Sequence, residues 1–424
     1  MKMLFINQFF WPDSSATSQQ LTDLTTALAH RGHEVHVVSS RGGYAEAAAT
    51  DAPPVTVHRL SSLAFSRGKL QRFFSYVSFY PLAFLRVLSL PRMDVVVSLT
   101  TPPLIAMVGQ VTKTLRGSRH YIWEQDIYPD VATELGKVAP GGVIDRVVGA
   151  VADSARRHAD GIVSLGRCMK LRLVRRGIPA EHIHIAENWS NSAAIMPMER
   201  PGSSRELVLL YSGNLGLAHE VKTLQQSMLT LSGDPRFRFI FVGGGGRRQE
   251  LKQYLAVYDI HSLEERGYVP RDRLSEGLAL GDIGLVLQDS ACSGLVVPSK
   301  VYGIMASGRP ILFVGPPDAT PALHIREHGC GWQVDGGDHA GLTRLLLHLA
   351  EHRDEVLEAG RRARAALLQH YDLPQGTERI ARILEQQPVK ATATSKAKNS
   401  RLSEVSLSEV SLPAVARACE GEHA

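Results

Sequence analysis

An α/β fold of two doubly wound domains, each a parallel sheet flanked by helices, is predicted by three features of the 424-residue sequence. Short apolar runs alternate with helical patterns up to residue 387, the order that parallel strands with crossover helices require. The alternation is run twice. A stretch rich in Asn, Ser, Pro and Gly, ENWSNSAAIMPMERPGSSRE, separates the two runs. Two such domains facing one another leave a cleft at the carboxyl ends of their strands, where ligands bind in sheets of this kind.

In the first half the strands read MLFINQF (3–9), EVHVVSS (34–40), VTVHRL (55–60), DVVVSLT (94–100), HYIWEQD (120–126) and GIVSLG (161–166). Between the first two, SQQLTDLTTALAHRG places Leu21, Leu24, Leu28 and Ala29 on one helical face and stops at Gly32. The second half repeats the plan with LVLLYSG (207–213), FRFIFVG (237–243), IGLVLQ (283–288) and PILFVG (310–315). The predicted division is a first domain over 1–190, a second over 191–387 whose last helix packs back on the first, and a disordered tail over 388–424. The tail turns to Lys, Ser, Ala and Thr and repeats LSEVS, which buries too little apolar surface to fold; a transient partner-binding helix is the alternative.

The composition, 44% hydrophobic and 21% charged, is of an ordinary soluble type able to bury a sizeable core. Cys168, Cys292, Cys330 and Cys419 are far apart and form no C-x-x-C pair, which argues against a disulfide framework or a zinc site. A reducing, cytoplasmic setting is expected. MKMLFINQFFWPD reads as a first strand rather than a signal peptide. The positive charge belongs to the first half, where residues 1–200 hold 22 basic and 16 acidic side chains. Within it, residues 65–84 hold seven of the 27 aromatics, among Arg67, Lys69, Arg72, Arg86 and Arg92 nearby. Cations beside clustered aromatics fit a segment, 65–92, lying on the anionic inner face of a membrane. A core-packed helix pair and a span over Phe73–Pro91 are the alternatives. So much interleaved apolar bulk argues against nucleic acid.

Three segments of the second half point to a phosphate. YSGNLG (211–216) and FVGGGG (241–246) each join a strand to a helix, a turn that lets backbone amides approach an anion, although each alone also serves as a tight connection. In VPSKVYGIMASGRPIL (297–312), Pro298 and the potential cap Ser299 open a helix of about nine residues that Gly308 and Pro310 close. Lys300 stands in its first turn, where a cation costs about 0.3–1 kcal/mol. An anion at that end reverses the sign; a lysine reaching into solvent is the other reading. In the first half Glu124 and Asp126 stand at a strand end, and only one of them is expected to point into the cleft. A carboxylate there accepts a proton or binds a hydroxyl, but the residues alone favour a cap on the next helix. No D-x-D pair occurs, and no His/Asp/Glu set with metal-ligand spacing is expected.

Taken together, WPDSSATSQQLTDLTTALAHRGHEVHVVS, TTPPLIA, EQDIYPD, YSGNLGLAHEVKTL, FVGGGGRRQEL, GYVPRDRL, GDIGLVLQ and PSKVYGIMASGRPIL resemble the family-4 glycosyltransferases. These have the GT-B fold, two Rossmann-like domains across a cleft, and the nearest look is to the colanic-acid and O-antigen polysaccharide transferases. The resemblance covers about residues 1–387. It implies a retaining hexosyl- or deoxyhexosyl-type transferase that uses no metal or other cofactor. A nucleotide-diphosphate sugar would sit on the second domain. The first would bind a hydroxyl acceptor, a polyprenyl-diphosphate-linked or other cell-surface glycan precursor, with the protein cytoplasmic and peripheral on the membrane. By position, Gly213, Asn214 and Gly216 would border the diphosphate, and Gly243, Gly244 and Val269 the nucleoside. Ser299, Lys300 and the amides of Gly294, Leu295 and Val296 would meet the phosphates. Ser15 and Ala16 would close over the donor, and Asp126 would face the acceptor or the transferred sugar, with Lys300 and Asp126 as the catalytic pair.

The chain departs from the family pattern in placing Ser15-Ala16 where Gly-Gly is common, and Leu295 and Gly303 where two glutamates are common. Two other classes stay open: a non-catalytic GT-B protein that binds sugar nucleotides, and a sugar-nucleotide epimerase. A nicotinamide-dependent dehydrogenase lacks its acidic residue about 20 positions past a G-x-G-x-x-G turn.

Overall fold

The computed structural model describes residues 1–42, 51–63, 68–201 and 205–386. Strands β1 (Lys2–Ile6), β2 (Glu34–Ser40), β3 (Thr56–Leu60), β4 (Val95–Ser98), β5 (Arg119–Glu124), β6 (Gly161–Ser164) and β7 (Ile183–Ile185) form one sheet, ordered β3-β2-β1-β4-β5-β6-β7. A second sheet holds β8 (Leu207–Ser212), β9 (Phe237–Val242), β10 (Leu263–Arg266), β11 (Ile283–Leu287), β12 (Ile311–Val314) and β13 (Gly331–Val334), ordered β10-β9-β8-β11-β12-β13. All these pairings are parallel, as in β1 with β4 and β8 with β11. Two doubly wound sheets are thus present, and in each the order reverses at the centre, between β1 and β4 and between β8 and β11. That reversal opens a crevice above the carboxyl ends of the central strands.

Burial on both faces explains why the central strands are continuous apolar runs. The first helix, Ala16–His30, buries Leu21, Leu24 and Leu28 against Met3, Phe5, Val35 and Val37, and stops where Gly32 takes φ +84°. Three strands were not expected from the sequence: β7, β10 and β13. Each is a sheet edge, short and partly exposed, and β10 reads Leu-Glu-Glu-Arg, so no apolar run marks it. The central strands in turn end before their apolar runs do. Asn7 and Gln8, after β1, have left the sheet but are fully buried.

The aromatic segment forms one helix, Lys69–Ser89, with Pro81 inside it, not a helix pair. Phe79, Ala83 and Val87 pack on Leu4, Ile6 and Val38, while Leu70, Phe73, Phe74 and Val77 stay exposed. Among the described residues no helix is long and apolar enough to cross a membrane, so the expected alternative of a span over Phe73–Pro91 does not hold.

The chain crosses between the halves twice. Near the first crossing, Ser192 donates its backbone N–H and hydroxyl to Asp372 at the second, the former at 2.8 Å. The last helix, Leu373–Glu385, puts Ile380, Ile383 and Leu384 into the core under the first sheet. Arg31 at the end of the first helix pairs there with Glu378 and, at 2.7 Å, with Glu385. The expected disordered tail, 388–424, lies outside the described residues.

Candidate active site

At the switch point of the second sheet, the turn after β8 and the helix after β11 meet. Gly213 takes φ +130°, and a Cβ placed on it would lie 3.6 Å from Lys300 Cε. The next turn, after β9, is locked against this one. Leu215 N–H donates to Gly244 O at 2.7 Å, and Gly213 N–H to Val242 O at 2.8 Å. A Cβ on Gly243, at φ +119°, would come within 2.3 Å of Gly213 O, so only glycine lets the turns touch. Tyr268 lies over Gly243 and Gly244. Those two bonded amides, at Gly213 and Leu215, hold the turns together rather than waiting for a ligand.

Beneath these turns is a cavity of about 240 Å³, lined by Ser212, Gly213, Tyr268, Val269, Lys300 and Gly303 among others. Apolar walls from Leu210, Val242, Leu278 and Ile304 continue it. Gly303 leaves open space, since a Cβ there would meet only Leu278 Cδ1, at 3.9 Å. The site side chain is Lys300, at the start of the helix Lys300–Ala306. That helix is shorter than expected, and Ser299 makes no side-chain cap, because its backbone is already helical at φ −69°, ψ −21°. Lys300 Nζ donates to Tyr211 Oη at 2.5 Å and lies 3.3 Å from His219 Nε2. Among the described residues no carboxylate pairs with it. Burial pulls its pKa down to about 7. Burial, with Lys300 beside it, also pulls His219 down to about 3. An anion in the cavity would restore the lysine's charge and gain from it.

The loop before Lys300 reaches the first sheet. Asp126 and Val296 form an antiparallel bridge, and Ile127 N–H donates to Leu295 O at 3.0 Å. Leu295 is fully buried in the core under the first sheet, and its N–H is spent on Cys292 O at 3.1 Å. This corrects the expectation of a phosphate-binding amide at Leu295: apolar burial and a local turn take the residue instead. Gly294 has φ +72° and its Cβ position is closed by Cys168 O at 2.6 Å, so the loop is seated on the first half. Gln288 shapes it, donating to Cys292 O and Val296 O at 3.1 Å.

On the first half, Glu124 and Asp126 line one small cavity together, which corrects the expectation that only one of them faces the cleft. Residues two apart on a strand share a face, and what distinguishes the two carboxylates is Arg156. Glu124 is buried and pairs with Arg156 at 2.5 Å. Asp126 accepts no hydrogen bond from a described residue and, with Thr100, Met107 and Tyr128, lines a small cavity of about 30 Å³. Burial and then Glu124 push its pKa up to about 6. The capping role that the residues alone favoured is not taken, since the helix Asp130–Glu134 has no side-chain cap. Around this edge Gln8 Oε1, Thr100 Oγ1 and Gln125 Nε2 are buried and lack a partner among the described residues, a set that suits hydroxyl groups of a ligand. Ser15 N–H donates to Asp13 at 2.8 Å, and its buried hydroxyl is also unpartnered. Ser15 and Ala16 begin the first helix and are not in the wall of the Lys300 cavity. Asn214 is exposed, with Gly216 beside it, at the outer end of the turn.

The sequence reading missed Tyr211, His219 and Tyr268. The first two lie in YSGNLGLAH, already singled out, but the pairing across 81 and 89 residues that brings them to Lys300 leaves no mark in spacing. Two groups of side chains correct the expectation that no His/Asp/Glu set has metal-ligand spacing, since histidines four apart on a helix share a face. His324 with Glu327 and His328, and His348 with His352 and Glu355, have ligand atoms close enough for a metal ion, and neither group includes a residue of the Lys300 cavity.

Residues 15–189 match the family model described as a glycosyl transferase 4-like domain. Over 288 residues, 66% of this chain and 71% of the relative, the chain is 26% identical to a probable glycosyltransferase, WbjE, of Pseudomonas aeruginosa. It is 24% identical over 347 residues, 73% and 82% of the two chains, to a putative colanic acid biosynthesis glycosyl transferase, WcaI, of Escherichia coli K12. Among solved structures, Anabaena HepE in complex with UDP and glucose is similar with a TM-score of 0.67 at 16% identity, covering 91% of this chain and 99% of that one.

Proposed function

We infer that this chain, a family-4 glycosyltransferase with the GT-B fold, moves a sugar from a nucleoside diphosphate held at Lys300 to a hydroxyl presented by the first sheet, in the making of a cell-surface polysaccharide. The observation that carries this reading is the Lys300 ammonium, partly buried without a carboxylate partner among the described residues, beside a glycine turn and open to a cavity of about 240 Å³. HepE, of the same fold, is solved with UDP and glucose. In this reading residues 191–387 are the donor domain, and residues 1–190, with Asp126 and the unpartnered amide and hydroxyl groups beside it, bind the acceptor.

Charge develops on the leaving diphosphate as the anomeric C–O bond breaks. Lys300 and the outer amides of the 213–216 turn stabilise it. The acceptor oxygen bonds to the anomeric carbon on the same face, giving retention, and its proton passes to the departing phosphate oxygen. Asp126 orients the acceptor hydroxyl. The sugar is a hexosyl or deoxyhexosyl unit and the acceptor a polyprenyl-diphosphate-linked glycan. The exposed face of the helix Lys69–Ser89, with Phe73 and Phe74, lies against the membrane that carries it. Sedimentation with anionic vesicles tests that contact: the Phe73→Glu, Phe74→Glu double variant should stay in the supernatant, and a wild type that also never sediments removes the contact.

Incubation with uridine, guanosine and thymidine diphosphate sugars tests the activity. Slow release of the nucleoside diphosphate from one donor, faster with a lipid-linked acceptor, is expected. Binding of a donor without any turnover would make the protein a sugar-nucleotide binder, and a converted but unhydrolysed sugar an epimerase.

A further inference from the structure

A buried ammonium needs acceptors even when no phosphate is bound, and here both acceptors are neutral. Tyr211 Oη receives Lys300 Nζ at 2.5 Å and passes its own hydrogen to Asn214 O at 2.9 Å. His219 Nδ1 lies 3.0 Å from Gly216 O. A carbonyl only accepts, so Nδ1 carries the hydrogen, and Nε2 turns its lone pair to Lys300 at 3.3 Å. The ammonium also lies 4.0 Å from the centre of the Tyr211 ring, a cation–π distance. Tyr211 is in turn clamped between Phe241, stacked at 5.1 Å, and the edge of His219, at 5.9 Å. Each side chain that holds the lysine is therefore tethered to a carbonyl of the same turn, at Asn214 and at Gly216.

We propose that Tyr211 and His219 are positioning residues for the donor phosphates: they hold the Lys300 ammonium against the Gly213–Gly216 turn, so that cation and turn meet the diphosphate as one preformed unit. The proposal rests on the reading of this cavity as the donor site. Its physical basis is preorganisation. A lysine on a four-carbon stem loses much rotational freedom when it grips a ligand, and here that loss is taken on folding rather than on binding. Neutral holders suit the task. A carboxylate in place of either would neutralise the lysine and repel the phosphates, whereas a phenol and a neutral imidazole hold it and leave its charge to the ligand. The tautomer matters as well, because the Gly216 carbonyl, by keeping the hydrogen on Nδ1, leaves Nε2 free to accept.

The test is calorimetric titration with inorganic pyrophosphate and with UDP between pH 6 and pH 9, on the full chain. Lys300 is faced by Tyr211 and His219 and shares its cavity with Tyr268 and Arg309, with no carboxylate lining that cavity among the described residues, so the fall of pyrophosphate affinity with rising pH reports the lysine. Tyr211→Phe and His219→Ala should each weaken pyrophosphate about tenfold at pH 6, and His219→Gln, which keeps an acceptor, should recover to within about threefold of wild type. In the Tyr211→Phe, His219→Ala double variant the released ammonium reaches water, so the pH at which affinity falls should move up by about one unit or more. Unchanged affinities overturn the proposal. Weakened binding with an unmoved pH dependence, or no recovery in His219→Gln, also overturns it, since a merely structural role predicts both. A wild type that binds neither pyrophosphate nor UDP would instead remove the donor-site reading, and the proposal with it.

Discussion

The two sheets treat a buried charge in opposite ways at their carboxyl edges. On the first, Glu124 is closed off by Arg156, which also donates to Tyr128 O and reaches Asp153. On the second, Lys300 has only a phenol and an imidazole, beside an open cavity. A neutralised pair is a structural feature whose removal is felt as lost folding. A charge left without a countercharge beside an open cavity is the one for which an external partner is proposed. The contrast sets a fully buried side chain that holds the fold against a partly buried one that we propose takes a ligand.

The largest effect that would test this contrast is on stability. Arg156→Ala leaves Glu124 buried and unpaired and should cost about 3–5 kcal/mol in chemical denaturation; a loss below about 1 kcal/mol would mean the pair is not a structural one. Lys300→Ala should do the reverse, cutting turnover about a hundredfold or more while leaving the denaturation midpoint near that of wild type. Full activity in that variant would take Lys300 out of the mechanism.

A smaller effect should be seen in the pH profile. The Asp126 carboxyl, pushed up to about 6, becomes a carboxylate as pH rises. The Lys300 ammonium, pulled down to about 7, is lost as pH rises further. A reaction that uses both charged forms has kcat/KM rising through about pH 6 and falling through about pH 7, and Asp126→Asn should erase the acid limb alone. Folding follows the sign of the lysine's shift: it binds its proton more weakly folded than unfolded, so this group costs stability below about pH 7 and the cost fades as pH climbs.

The finest comparison sets two glycines of the second half side by side. Gly243→Ala puts a methyl into Gly213 O at a positive φ and should cost about 1–3 kcal/mol and loosen donor binding. Gly303→Ala, inside a helix with open space around it, should stabilise by about 0.5–1 kcal/mol, read as a raised melting temperature. Equal effects at the two positions would mean that the turns after β8 and β9 are not locked as described.

Most of the layered order was legible in the sequence, because central strands buried on both faces must be apolar throughout. The edge strands were not, since a strand such as Leu263–Arg266 owes its place to its neighbour β9 and carries no run of its own. At the site, Lys300 could be singled out because a cation in a first helical turn conflicts with the local field. Tyr211 and His219 conflict with nothing locally and gain meaning only when the sheet brings them to the lysine. Leu295 was misjudged for a related reason: an apolar residue in a loop looks the same whichever core receives it. Asp126 was judged by its nearness to a helix start, whereas burial beside Glu124 governs it.

That same leucine makes the donor loop a latch. With its side chain sunk under the first sheet and its carbonyl bonded to Ile127, the segment leading to Lys300 is fastened to the half opposite its own sheet. Swinging the halves apart requires either drawing the leucine out into water, at about 2–3 kcal/mol, or dragging the lysine with it. In the second case, if Lys300 holds the donor phosphates as proposed, opening of the cleft and release of that grip would be one movement.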